Sequence, residues 1–205
     1  MVSDQRFLGK TIVITGAGGN FGREGCIFFA SRGANIVALD LNEESLEGTV
    51  TEVTTKLTAL NLKSENVIKT IKCNVTEVES VDKAMDAAID AYGSIDMLWN
   101  NAGYQGQIKP TLDYDPKDFA NVMSINVTGM FIVMQSAAKH MAEAFKNGID
   151  AKFSIVNTAS VAGLRGTPAM IAYSSSKAAV LAMTISAAKV SHLTNLSISI
   201  CKSEF

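Results

Sequence analysis

Short β-branched runs alternate with helical stretches of a dozen or more residues along almost the whole chain. No other feature restricts the fold as strongly. Thr11-Ile-Val-Ile-Thr15 is a β-branched run that stops at glycine, as a buried strand does. A helical stretch follows from about Asn20 to Ser31 and is closed by Gly33. The same reading predicts further strands over 35–40, 67–74, 95–99 and 153–157. It predicts helices over 43–60, 78–92, 116–146 and 172–190. Helices of this length return the chain to the same end of a sheet, so successive strands run parallel, and right-handed crossovers put helices on both faces. The expected architecture is α/β: one doubly wound parallel sheet in a single domain covering residues 1–205.

The composition agrees. A length of 205 residues is that of one domain, and 47% apolar against 19% charged residues allows a core. Eighteen basic and 20 acidic residues leave a net charge of −2 with no run of one sign, so neither nucleic acid nor an anionic membrane is the expected partner. Cys26, Cys73 and Cys201 are an odd set without CxxC spacing and read as reduced thiols of a cytoplasmic protein. The apolar runs fall short of the ~20 residues that span a bilayer, and residues 1–10 lack a signal-peptide apolar region. His140 and His192 have no ligand spacing, so no metal is expected.

Thr15-Gly-Ala-Gly-Gly-Asn-Phe-Gly22 falls where the first strand turns into the first helix. A pyrophosphate can rest there on backbone N–H groups at the positive end of a helix, and glycine allows the close approach. The pattern is not a strict GxGxxG, because Phe21 stands where the third glycine belongs. Asp40 ends the second strand, 24 residues after Gly16, where a carboxylate accepts both adenosine ribose hydroxyls and repels a 2′-phosphate. Asp40 also has the plainer reading of a helix cap before Glu43. Tyr173 and Lys177 are four apart and share one face of a predicted helix, while Ser160 ends the fifth strand at the carboxyl edge of the sheet. Asn126 is a polar group inside an otherwise apolar helix, where a buried amide bonding the backbone is an equal alternative. Met123, Met130, Met134 and Met141 form a stripe suited to core packing or a subunit interface.

Together these motifs resemble the short-chain dehydrogenase/reductase family. The matching elements are TGAGGNFG at 15–22, Asp40, NNAG at 100–103, Asn126 in INVTG, Ser160 and YSSSK at 173–177. NNAGYQG and the asparagine of the glycine turn look like the xylitol and other polyol dehydrogenases of that family. The resemblance implies a Rossmann-like fold, NAD as cofactor, and a small-molecule secondary alcohol or ketone as substrate. It implies a catalytic tetrad of Asn126, Ser160, Tyr173 and Lys177. Tyr173 would be the acid/base, its phenolate stabilised by Lys177 and the oxidised nicotinamide. Ser160 would hold the substrate oxygen together with Tyr173, and Asn126 would position a water that connects Lys177 to solvent. Gly16, Gly18, Gly19, Asn20, Phe21, Gly22, Asp40, Leu41, Asn74, Val75, Asn101, Ala102, Gly103, Tyr173 and Lys177 would contact the cofactor. The apolar faces of 116–146 and 172–190 fit a homodimer or homotetramer.

Three departures qualify the resemblance. Asn20 replaces a glycine of the turn, and asparagine is expected to tolerate a positive φ there. Asn74 replaces an aspartate near adenine, and its carbonyl is expected to bond the adenine amino group. After Lys189 the family's continuation is missing: residues 190–205 read as a tail outside the family pattern, a shifted reading frame or alternative splice end. In that tail, Leu196–Ile200 is expected to form a substitute sixth strand. A noncatalytic nucleotide-binding or dimerising remnant is therefore the alternative to an NAD-dependent polyol dehydrogenase.

Overall fold

The structure is a computed structural model, and it describes residues 4–149, 151–189 and 195–203. Six strands form one sheet: β1 (Thr11–Thr15), β2 (Asn35–Asp40), β3 (Ile68–Lys72), β4 (Met97–Asn100), β5 (Phe153–Ser160) and β6 (Leu196–Ser203). Their order is β3-β2-β1-β4-β5-β6, and every pairing is parallel. The chain winds outward from β1 to β3, then crosses back to β4 on the other side of β1. The crevice beyond the carboxyl ends of β1 and β4 is thus the point where strand order reverses, and ligands of open α/β sheets bind there.

Strand alternation divides the core between the two faces. Ile12, Ile14 and Ile36 pack with Cys26 and Ala30 of α1 (Asn20–Ala30) and with Leu46, Val53 and Leu57 of α2 (Glu43–Ala59). Val13, Val37 and Leu98 point the other way, toward Val81 and Met85 of α3 (Val78–Tyr92) and toward Val133 and Met141 further along the chain. Asn42, and not Asp40, caps α2: its side chain accepts the N–H of Ser45 at 3.0 Å. Gly93 closes α3 with φ of +80°. Cys26 and Cys73 are buried and Cys201 is exposed, all as free thiols.

The single helix expected over 116–146 is instead three pieces. α4 (Pro116–Met123) and α5 (Met130–Lys146) are joined by one widened π turn, Ser124–Gly129. The turn accommodates Asn126, whose buried side chain is drawn into bonds with distant backbone and side-chain groups. Met130, Met134 and Met141 are buried, which gives the methionine stripe a core role at those three positions. His140 lies 3.6 Å from Asp86 of α3, a partner that sequence spacing does not reveal, and His192 lies outside the described residues. β4 runs from Met97, and Asp96 just before it is tied to β1: its carboxylate accepts the Thr11 N–H at 2.9 Å and the Lys10 ammonium at 2.8 Å, and its own N–H donates to the Thr11 carbonyl at 3.0 Å.

The short helix α6 (Ala162–Arg165) and the long helix α7 (Ile171–Ala188) follow β5. β6 pairs with all eight residues of β5, from Phe153↔Leu196 to Ser160↔Ser203, and is longer than the strand expected at 196–200. Leu196 and Ile198 join the core beside α5, and Ile200 packs near Val180 of α7, whereas Ser197, Ser199 and Cys201 are exposed. Residues 190–194, where the expected tail begins, lie outside the described residues. Among the described residues no helix is long and apolar enough to cross a membrane, and no cluster of His, Cys, Asp or Glu could hold a metal.

Candidate active site

A cleft of about 770 Å³ opens at the carboxyl ends of β1 and β4. One end is the glycine turn. Gly16 has φ of +66°, and a Cβ there would come within 3.0 Å of Ala102 Cα, so the turn fits against the NNAG segment only with glycine. At Gly18 a Cβ would meet Ser45 Cβ at 2.6 Å and the Asp40 carboxylate at 3.1 Å. At Gly22 it would collide with the carbonyl of Gly16, which is why α1 can start directly behind the turn. Asn20 does not take a positive φ as expected. It is the first residue of α1, and Gly16 supplies the left-handed conformation instead. The helix N-cap is Gly19, with no side-chain cap, so the positive end of α1 faces the cleft with backbone only.

Asp40 and the turn are joined. The carboxylate accepts the Gly18 N–H at 2.9 Å and the Asn42 N–H at 3.0 Å, one through each oxygen. Each oxygen keeps a second lone pair for a ribose hydroxyl. On the other wall, Thr15 Oγ1 accepts the N–H groups of Asn101 and Ala102, both at 2.9 Å. Asn100 Nδ2 donates to the Met130 carbonyl at 2.7 Å, which ties the end of β4 to the start of α5.

Tyr173 and Lys177 project from α7 into the same cleft, with Lys177 Nζ 5.5 Å from the Tyr173 ring centre. Lys177 is 3% exposed, and its ammonium donates to the Thr158 carbonyl at 2.8 Å. Burial pulls its pKa down to about 8, because a buried amine loses hydration that favours the charged form. Ser160 is buried and does not form part of the cleft wall. Its Oγ accepts the Ala162 N–H at 3.2 Å, which leaves its own proton for donation. Asn126 is also behind the wall. Its Oδ1 accepts the Tyr104 N–H at 2.7 Å, and its Nδ2 donates to the Tyr104 carbonyl at 2.8 Å and to Ser176 Oγ at 3.0 Å. Both amide protons are thus occupied in fixing the loop after NNAG to α7, and neither remains for a water. Gly103 sits between these groups: a Cβ there would lie 3.3 Å from Asn126 Oδ1 and 3.6 Å from Lys177 Nζ.

Of the cofactor contacts read from sequence, Gly16, Gly19, Asn20, Phe21, Asp40, Asn101, Ala102, Gly103, Tyr173 and Lys177 line the cleft. Gly18, Gly22, Leu41, Asn74 and Val75 do not. Asn74 closes a local turn instead: its Oδ1 accepts the Thr76 N–H at 3.1 Å and hydroxyl at 2.8 Å, and its Nδ2 donates to Glu77 at 2.8 Å. The carbonyl expected to bond adenine is already committed. Trp99, Thr158, Met170 and Cys201 line the cleft without having been marked by any motif, and Gln105, part of the NNAGYQG run, lines it without having been given a role. For Trp99 and Thr158 the signal lay in strand alternation, since both precede the carboxyl end of a strand by one or two residues. For Gln105 it lay in the NNAGYQG run itself, and for Met170 only in its nearness to Tyr173.

The glycine cradle, the acid at its rim and the roomy cleft suit a dinucleotide. Residues 10–203 match the short chain dehydrogenase family. A levodione reductase from Leifsonia aquatica is 30% identical over 179 residues, which are 87% of this chain and 62% of that protein. A sorbitol dehydrogenase from Cereibacter sphaeroides is 31% identical over 182 residues, 89% of this chain and 64% of that protein. The chain thus spans somewhat under two thirds of the length of these relatives. The crystal structure of an NAD+-bound xylitol dehydrogenase superposes with a TM-score of 0.87 at 38% identity, covering 98% of this chain and 72% of that one. With this family match and the glycine turn and the Tyr173–Lys177 pair in one cleft, the chain belongs to the short-chain dehydrogenase family.

Proposed function

We propose that this protein transfers hydride between NAD(H) and a secondary alcohol or ketone of the polyol class. The observation that carries the reading is the placement of Tyr173 and Lys177 in one cleft with the Gly16–Gly22 turn and Asp40. The side-chain-free turn and the N-terminal end of α1 would hold the pyrophosphate, and Asp40 would accept the adenosine ribose hydroxyls. A 2′-phosphate would meet the Asp40 carboxylate as a like charge, which favours NAD over NADP. When bound, the nicotinamide supplies the hydride acceptor or donor.

The chain's own groups handle the proton. The Tyr173 hydroxyl would exchange a proton with the substrate oxygen, with the Lys177 ammonium 5.5 Å from its ring centre. Ser160 keeps its hydroxyl proton and would donate it to the same oxygen, steadying charge as it develops. Asn126 acts one step back. It clamps the Tyr104 backbone and so sets the wall opposite α7. Phe131 and Ile185, 44% and 52% exposed on α5 and α7, support a homo-oligomer formed through those helices.

The test is NADH production, followed by absorbance, from NAD+ and a panel of sugar alcohols. A second reading, nucleotide binding without turnover, is favoured by the burial of Ser160 away from the cleft wall. Calorimetric NAD+ binding with no NADH from any alcohol would select that second reading.

A further inference from the structure

Gln105 stands between two anchored residues. On one side Tyr104 is held three ways: its N–H and carbonyl by Asn126, and its hydroxyl by Asp118 Oδ1 at 3.2 Å. On the other side the Gln107 N–H donates to Asp118 Oδ2 at 2.8 Å, and Tyr114 donates to that same oxygen at 2.7 Å. Gly106 between them has φ of +74°, and a Cβ there would lie 2.6 Å from Tyr114 Oη, so the turn is closed over Asp118. The loop is also tied across the cleft mouth, where the Lys109 N–H donates to the Ala169 carbonyl at 2.8 Å. Ala169 itself is held at φ of +62°, directly before Met170 of the opposite wall. Within this braced frame, Gln105 lines the cleft that contains Tyr173 and Lys177, and its exposed side chain has no hydrogen-bond partner among the described residues. The backbone on either side of it is fixed by these bonds.

We infer that Gln105 determines substrate specificity by binding a hydroxyl beside the carbon that is oxidised, so that the preferred substrates are vicinal diols. This rests on the dehydrogenase reading above. A primary amide offers an acceptor and two donors, and a hydroxyl both donates and accepts, so the two match in either sense. A site that presents such a group disfavours an analogue lacking the hydroxyl, because the amide is then covered without a partner. A preorganised loop adds to the discrimination, since no ordering of the backbone is needed on binding.

Cyclohexanol and cis-1,2-cyclohexanediol differ by one hydroxyl on the same ring and make a clean pair of probes. The kcat/KM ratio of diol to monool is measured with NAD+ for the 205-residue protein and for Gln105→Leu, which keeps the volume and removes the bonds. The ratio is expected to fall about tenfold, as for one lost hydrogen bond, with partial recovery in Gln105→Asn. NADH binding measured alongside reports that the site is folded. An unchanged ratio in Gln105→Leu overturns the inference while leaving the dehydrogenase reading intact. Absence of turnover with every alcohol overturns the dehydrogenase reading. In that case diol binding to the NAD+-loaded protein, by calorimetry, decides the role of Gln105: equal Kd in wild type and Gln105→Leu overturns it, and weaker binding in the variant upholds it.

Discussion

The Asp40 carboxylate accepts the backbone N–H of Gly18 at 2.9 Å, so the acid that ends β2 and the turn that ends β1 hold each other in place. Asp40 is therefore a structural member of the glycine turn as well as a charged group at the cleft rim. A hydrogen bond to a charged group contributes roughly 1.5–3 kcal/mol.

Asp40→Ala should then do two separable things. It should lower the denaturant midpoint by an amount in that range, and it should weaken NAD+ binding about tenfold while reducing the discrimination against NADP+. Calorimetry with both nucleotides checks this. Comparable binding of NAD+ and NADP+ by the unmodified protein would contradict the preference at its root.

Tyr173→Phe removes one hydroxyl and leaves the ring beside Lys177. General acid–base groups contribute typically ~10²–10⁴-fold in rate, so kcat should drop by that factor. NADH binding should stay within a few-fold, since the helix packing is untouched. Turnover within a few-fold of the unmodified enzyme would mean that another group moves the proton.

Lys177 gives a prediction about pH. Its folded pKa, about 8, lies below its ordinary value of 10.5. Below pH 8 the amine is charged in both the folded and the unfolded chain, and the folded chain carries the full cost of burying it. Between about pH 8 and 10.5 the unfolded chain binds the proton and the folded chain does not, so this contribution to stability rises with pH across that window. Lys177→Met should therefore stabilise the fold most below pH 8, and the gain should shrink as pH approaches 10.5. Urea melts at pH 7 and pH 10 measure the difference, and a gain independent of pH would show that burial of the charge is not what shifts the amine.

The alternation of strands and helices was legible because it is a local signal: the β-branched run at Thr11–Thr15 and the glycine stops at Gly33 and Gly93 need only their neighbours. The Tyr173–Lys177 pair was legible for the same reason, from helix period alone. The π turn was not, because its cause is remote: Asn126 is drawn toward Tyr104, 22 residues before it, and Ser176, 50 residues after it. Asn74 illustrates the opposite error. Its partners Thr76 and Glu77 are two and three residues away, so the turn it makes was readable from local chemistry, yet analogy with an aspartate at that place pointed elsewhere. Gln105 was visible only as part of NNAGYQG and drew no role of its own, because the loop between β4 and α4 has no period. Its importance comes from Asp118 gathering that loop to α4.

Gly25 of α1 tests how tightly the cradle is backed. Trp99 of β4, the only tryptophan in the chain, lays its ring against this glycine, and its Nε1 donates to Thr158 Oγ1 at 2.9 Å. A Cβ at position 25 would come within 2.7 Å of the ring carbon Cε3, and a ring held by its own hydrogen bond cannot simply swing aside. Either α1 moves outward or the Trp99–Thr158 bond breaks, and overpacking of this kind costs about 1–3 kcal/mol. Because the N-terminus of α1 forms part of the proposed nucleotide site, an outward shift should also weaken NAD+ binding several-fold. Gly25→Ala is therefore expected to lower stability, change the emission of Trp99 and reduce NAD+ affinity together. A variant with native stability and an unaltered emission spectrum would show that the ring and the helix are not in the contact described.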